Sequence, residues 1–259
     1  MKDSQRLTAK ELCIFFSDYA SWLLGSGATC IRIEKNIERM AKVFGVGFDM
    51  SIMPSHIHLT VCDRKHDDYY STVKKLHKSG ISFNINTQLS KLSWQVADGK
   101  LDFSQAREVF REIKKTAPTG KWTVLLLASL ANMSFCRLFN GDLPSMIIVF
   151  IATLAGYRLK QIMLEHKMDV RFVFFCSAFV SSVLAAMSYL FEIGNTPEIA
   201  VGTSVLYLVP GIPYINSVSD MIDGHYLTAF SRLVDAVILT ACLSAGLCGG
   251  MLLMGLNWF

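Results

Sequence analysis

The sequence predicts a membrane all-α domain of about five transmembrane helices, preceded by a small cytoplasmic α+β domain. Three observations carry that prediction. Of the 259 residues, 52% are hydrophobic and only 18% charged, against about 25% charged in ordinary soluble domains. The charge is also segregated: residues 1–121 hold most of the Lys, Arg, Asp and Glu, whereas 122–259 reads as successive apolar runs. Within the first part, helical and strand periods alternate.

The first element is an amphipathic helix carrying Leu12, Phe15, Phe16, Tyr19, Trp22 and Leu23, ended by Gly25-Ser26-Gly27. Ser17, Asp18 and Ser21 interrupt its apolar run, and Met1 to Lys10 is polar, so no secretory signal is expected. A second helix buries Ile33, Ile37, Met40 and Phe44, with a Glu38–Lys42 pair at i,i+4 on its wet side. After Gly45-Val46-Gly47 the period changes to two. Phe48, Met50 and Ile52 alternate with polar residues, Pro54-Ser55 turns, and Ile57, Leu59 and Val61 alternate again, which is a β-hairpin. A third, edge strand is expected around Ser71–His77. Leu89, Leu92 and Val96 then mark a helix closed by Asp98-Gly99; Ala106, Val109, Phe110 and Ile113 mark another, running into Lys114-Lys115 and Pro118.

The spans read as about 122–139, 143–159, 172–191, 199–215 and 233–256, which sets the domains at 1–121 and 122–259. Lys114, Lys115 and Lys121 precede the first span, and Arg158, Lys160, Lys167 and Arg171 flank the connection between the second and third. The connections at 140–142 and 192–198 hold no Lys or Arg. The positive-inside rule therefore puts the N-terminal domain in the cytoplasm and the C-terminus outside, with Arg137 the poorest fit. Asn132, Thr153, Ser177, Ser181, Ser182, Thr203, Ser204, Thr240 and Ser244 dot the spans and read first as helix–helix packing groups, as does Gly246-x-x-x-Gly250. The seven cysteines form no C-x-x-C pair and read as small buried hydrophobes. No nucleophile elbow, P-loop or dinucleotide fingerprint occurs, so no enzyme and no cofactor is expected. His56 and His58 share a strand face and read as solvated rather than metal-binding. The net charge of +4 says little by itself, and no nucleic-acid partner is expected.

The chain is organised around 201–235. A hydrophobic span there meets Pro210-Gly211-Ile212-Pro213, which cannot continue a helix. Transporters place substrate sites at such breaks. The candidate substrate-binding residues are therefore Pro210, Gly211, Pro213, Asn216, Ser217, Ser219 and Arg232. Asp220, Asp223 and Asp235 are candidates for handling protons or a substrate amine. The plainer alternatives are a proline kink near a helix end, with Asp220 and Asp223 wet and Arg232 pairing with Asp235 at i,i+3. An odd number of spans suits half of a two-part transporter and predicts a partner.

Three stretches, SGATCIRIEKNIERMAKVFGV, FNGDL and LVPGIPYINSVSDMIDGHYLTAFSRLVDA, give the chain a resemblance to the threonine/serine exporter family over nearly its whole length. It is similar to the N-terminal half that some members carry fused to a second membrane half. It also resembles the larger subunit of the two-component bacterial succinate exporters. FNGDL departs from the family's double glycine by Asn140.

The resemblance implies export of a small carboxylic or amino acid across the bacterial inner membrane, in an oligomer with a smaller membrane subunit. A half-helix following the proline break would offer N–H groups to a carboxylate, with Arg232 adding charge. A dicarboxylate leaving an inside-negative cell gains about 2.3 kcal/mol per charge per 100 mV, whereas a zwitterion gains nothing. The competing expectation is a membrane-anchored regulatory or assembly subunit that transports nothing itself.

Overall fold

The computed structural model describes residues 7–77, 80–117 and 119–256; Pro118, the expected stop after the last soluble helix, lies outside them. By its internal packing the chain divides into two compact units. The first is Met1–Ala117 with Ile212–Leu233, and the second is Pro118–Gly211 with Val234–Phe259. The first stretch of the first unit ends at Ala117, whereas the sequence reading places its boundary at 121/122. Residues 212–233, which sequence places in the membrane domain, group instead with the N-terminal unit.

The first unit begins with α1 (Ala9–Gly25), opened by a capping box in which the Thr8 hydroxyl accepts from the Glu11 N–H and Glu11 accepts from the Thr8 N–H. Its buried side holds Leu12, Phe16, Tyr19 and Leu23. α2 (Cys30–Phe44) follows and ends at Gly45 with φ +67°, the left-handed conformation that glycine adopts without a Cβ penalty. Strands β1 (Gly47–Ile52), β2 (His56–Asp63) and β3 (Asp68–Lys75) form an antiparallel sheet in that order, with Met50 opposite Leu59 and Thr60 opposite Ser71.

The third strand starts three residues before the expected Ser71. The Asp63 carboxylate accepts from the Lys65 N–H and contacts His66 Nδ1 at 2.6 Å, and Asp67 takes φ +51°. That closes a tight turn and leaves Asp68 free to pair. Ile57, Leu59 and Val61 face inward and are fully buried. α3 (Phe83–Ala97) and α4 (Phe103–Lys114) complete the unit, and the buried Tyr19 hydroxyl donates to the Leu89 carbonyl at 2.8 Å.

The second unit contains α5 (Lys121–Leu138), α6 (Leu143–Glu165), α7 (Val170–Leu190), the short α8 (Pro197–Thr203) and a single 3-10 turn, Leu206–Leu208. Helical hydrogen bonding stops at Val209-Pro210 and resumes in α9 (Gly211–Ile222), and α10 (Tyr226–Leu253) is the last helix. Among the described residues, α6, α7 and α10 are long and apolar enough to cross a membrane. The bent pair Pro197–Leu208 and Gly211–Ile222 counts as a fourth if it is one broken span. α5 is not among them, because Lys121, Asn132 and Arg137 dilute its apolar character.

The two membrane glycine contacts are close. A Cβ at Gly246 would stand 2.4 Å from the Phe175 carbonyl oxygen and one at Gly250 2.7 Å from Ser182 Oγ, so this pair seats α10 against α7. Asn140, in the FNGDL turn, takes φ +67°, which asparagine tolerates better than other side chains. The glycine beside it is demanded by space: a Cβ at Gly141 would lie 2.4 Å from Cys136 Sγ.

Candidate functional site

Asn216, Asp220 and Arg232 converge on one loop of the first unit, the α1–α2 connection. The Asp220 carboxylate is fully buried and accepts the Cys30 N–H at 2.7 Å. Cys30 is the first residue of α2, whose own N-cap, Thr29, makes no side-chain capping bond. Asp220 therefore supplies the cap from 190 residues away, placing an anion where the helix dipole favours one.

Arg232 completes the clamp. Its Nη1 lies 2.8 Å from Asp220 Oδ2, and its Nη2 donates to the Ala28 carbonyl at 2.8 Å. The Nη1–Oδ2 approach is ionic and not aligned as a hydrogen bond, so both atoms keep unused hydrogen-bonding capacity among the described residues. Asn216 Nδ2 donates to the Gly27 carbonyl at 2.8 Å, and the Ser217 hydroxyl donates to Ala229 at 2.7 Å, joining α9 to α10. Thr228 donates to the Ile52 carbonyl at 3.0 Å, and His225 Nε2 stands 3.4 Å from Glu34.

Asp220 is thus dry rather than wet, and Arg232 pairs with it across the hairpin rather than with Asp235. Asp223 and Asp235 are exposed and Ser219 half-buried. Pro210 is buried before the break, and Gly211 and Pro213 form the first turn of α9. His56 and His58 stack with ring centroids 6.1 Å apart, and no metal-ligand group of three or more His, Cys, Asp or Glu occurs among the described residues.

The clamp leaves a chemical signature on Cys30. Burial, and then the Asp220 charge, push its thiol up to about 12, Arg232 opposing in part. A folded-state value above the ordinary one near 9 means that this stability is complete below pH 9 and is lost as pH rises towards 12. The expected result is that Cys30 resists alkylation at pH 8 in the native protein and reacts after denaturation. Cys30→Ala should flatten the alkaline side of the stability profile; equal labelling of native and denatured protein would contradict it.

The second unit holds a different polar cluster, of residues that sequence reasoning treated as packing hydroxyls. Asn132 on α5 is 2% exposed. Its Nδ2 donates to Thr153 Oγ1 at 2.6 Å and to the carbonyls of Thr203 at 3.1 Å and Ser204 at 3.4 Å. Those carbonyls have no helical partner because α8 ends at Thr203. Ser181 donates to the Ala152 carbonyl at 3.1 Å and lies 2.9 Å from the Tyr207 hydroxyl, which also reaches the Ser177 carbonyl at 3.4 Å. Asn132 Oδ1 and Ser177 Oγ are buried with no hydrogen-bond partner among the described residues. The sequence signal for this cluster was the spacing of its small polar residues along α6 and α7; the partners were not legible.

Comparison with known proteins gives the chain a family. The family model described as "Putative threonine/serine exporter" matches residues 15–254. The "Probable succinate transporter subunit YjjP" of Klebsiella aerogenes is 29% identical over 99% of this chain and 97% of its own length. The protein of the same name from Escherichia coli K12 is 28% identical over 99% of both chains. A "Probable threonine/serine exporter" of Mycobacterium tuberculosis is 24% identical over 62% of this chain and 30% of its own length. No solved structure matches. The two longest stretches that carry the resemblance, 26–46 and 208–236, are the ones that meet in the clamp at Asp220 and Arg232. With its apolar helices and a family match covering most of its length, the chain is a membrane protein and belongs to the threonine/serine exporter family.

Proposed function

We propose that this chain is one subunit of an inner-membrane exporter of small carboxylic or amino acids, working with a smaller membrane subunit of the same family. The observation that carries the reading is the end-to-end similarity to two relatives named as transporter subunits. The buried polar cluster at the end of α8 supports it. Polar side chains inside a membrane domain are costly, and these gather where a broken span frees carbonyls.

In this reading α5 is also a span, making five with the broken pair. Its polar Asn132 and Ser129 are buried while Leu126, Leu127 and Leu130 are exposed, the inside-out pattern that lipid favours. The N-terminal domain is cytoplasmic and the C-terminus outside. α10 has 28 residues and is about 42 Å long. A hydrocarbon core is about 30 Å thick, so α10 is longer than a span needs. α9 and the start of α10 expose Ile215, Val218, Ile222, Leu227 and Phe230, side chains suited to a membrane interface.

The candidate residues divide by role. Pro210, Gly211 and Pro213 make the break. Asp220, Arg232 and Asn216 fasten the hairpin to the cytoplasmic fold, and Ser217 joins its two helices. Ser219 stays half-exposed as a hydrogen-bonding candidate for the solute, and Asp223 and Asp235 stay exposed for proton or amine handling.

The regulatory alternative is favoured by one observation, that most polar candidates on α9 and α10 hold the soluble unit together. Flux of labelled succinate and threonine into vesicles, with and without the smaller subunit, decides between the two. Flux that requires both chains supports the exporter. No flux of either solute under an imposed potential or proton gradient supports the regulatory reading.

A further inference from the structure

Lys160 sits at one end of a polar seam in the second unit. On α6, Thr153, Gly156 and Lys160 recur at i, i+3 and i+7; on α7, Phe174, Ser177 and Ser181 do the same. The two faces run antiparallel. Lys160 Nζ lies 5.1 Å from the Phe174 ring centre, whereas a Cβ at Gly156 would stand 3.0 Å from the Ser177 carbonyl oxygen and 2.0 Å from Ser181 Oγ. The Tyr157 ring is 5.3 Å from Nζ and packs 5.7 Å from Tyr207, which closes the seam.

Lys160 is only partly exposed and has no acidic partner among the described residues. Four residues separate it from Gly156, about 6 Å along the helix. The Ser177 carbonyl faces Gly156, and Asn132 bonds Thr153 three residues before it; Ser177 Oγ and Asn132 Oδ1 are both buried and unpartnered among the described residues. A cation walled by aromatic rings and a buried hydroxyl with no partner suit an anion, and the idle Asn132 oxygen on the same seam suits a donor.

We propose that this seam binds the exported solute, with its carboxylate at Lys160 and a hydrogen-bond donor of the solute at Asn132 Oδ1. The inference rests on the exporter reading and narrows its substrate class. The Ser177 hydroxyl donates to the carboxylate. Asn132 Oδ1 accepts only, so the solute form that fits carries one carboxylate and at least one donor. Amino acids, hydroxy acids and a singly protonated dicarboxylate qualify, whereas a doubly ionised dicarboxylate sets a second anion against an acceptor. Entry requires Pro197–Leu208 to shift, because that segment lays Thr203, Ser204 and Tyr207 on the seam. A seven-residue helix followed by one 3-10 turn has few internal hydrogen bonds to resist this.

The test uses the full chain with its smaller subunit in vesicles, reading threonine and succinate counterflow, alongside thermal unfolding of each variant. Ser177→Ala removes an atom that bonds nothing among the described residues. Melting should be unchanged while KM rises about three- to tenfold. Lys160→Met should raise KM about tenfold or more for both solutes, and Lys160→Arg should recover part of that. Wild-type KM in both Ser177→Ala and Lys160→Met would overturn the site and leave the exporter reading standing. A wild-type assembly that moves neither solute would overturn the exporter reading and the site with it.

Discussion

Replacing Asp220 by asparagine is expected to destabilise the first unit by about 3–5 kcal/mol, the range for removing one partner of a buried ion pair. Three contacts fail together. Arg232 loses the carboxylate 2.8 Å from its Nη1. The Cys30 N–H exchanges an ionised acceptor for a neutral one, and the α2 terminus loses its anion. Arg232→Gln should cost a similar amount, because Asp220 is fully buried and would keep only its bond to the Cys30 N–H. The double variant should cost less than the sum of the two, since neither charge is then left alone. Denaturant unfolding of the three variants measures this cycle. Additive losses would show that the pair contributes no mutual stabilisation. Transport discriminates further: if Arg232→Gln abolished export with unchanged stability, Arg232 would have to act on the solute directly.

The second large effect is expected at Gly156. An alanine Cβ there would lie 2.0 Å from Ser181 Oγ and 2.2 Å from the Tyr207 hydroxyl, both far inside van der Waals contact. Either α6 moves away from α7 or the Ser181–Tyr207 bond breaks. Overpacking of this kind costs about 1–3 kcal/mol, and the Ala152 carbonyl loses the Ser181 donor besides. Gly156→Ala should therefore lower the melting temperature in detergent and abolish flux. By contrast Gly202→Ala should be tolerated, because nothing lies within 4 Å of that Cβ position. Comparable melting curves for the two variants would contradict the close-approach argument.

Sequence and structure agree best where local chemistry decides the outcome. Period-two alternation in Phe48–Val61, the Asp98-Gly99 stop and the Pro210 break were legible because propensity, turn residues and proline geometry act over a few residues. Long-range pairing was not. Nothing near Thr29 announces that its helix is capped by Asp220, and i,i+3 spacing suggested Asp235 as the partner of Arg232. The hairpin turn at Gly224 instead carries Arg232 back to Asp220, and the buried end of α2 holds them there. Asn132 was visible as a polar residue inside a span, but its acceptors are the Thr203 and Ser204 carbonyls, over 70 residues away. Lys160 read as one of several flanking charges, because a helix end cannot be placed within a turn from apolar content, and α6 continues to Glu165.

The FNGDL turn has an environmental consequence. The Asp142 carboxylate gathers the N–H groups of Ser145 and Asn195 and the Thr196 hydroxyl, tying the α5–α6 turn to the α7–α8 turn. Those bonds, led by Ser145, hold its carboxyl well below the usual carboxylate range. A depressed folded value means the tie persists as pH falls through ordinary carboxylate values and fails only below them. In the proposed topology this turn faces the medium into which organic acid is discharged. A cell that acidifies its own surroundings by excretion would then protonate most exposed carboxylates on that surface before this one, and the outer end of the bundle would keep its shape in the product's own waste acid.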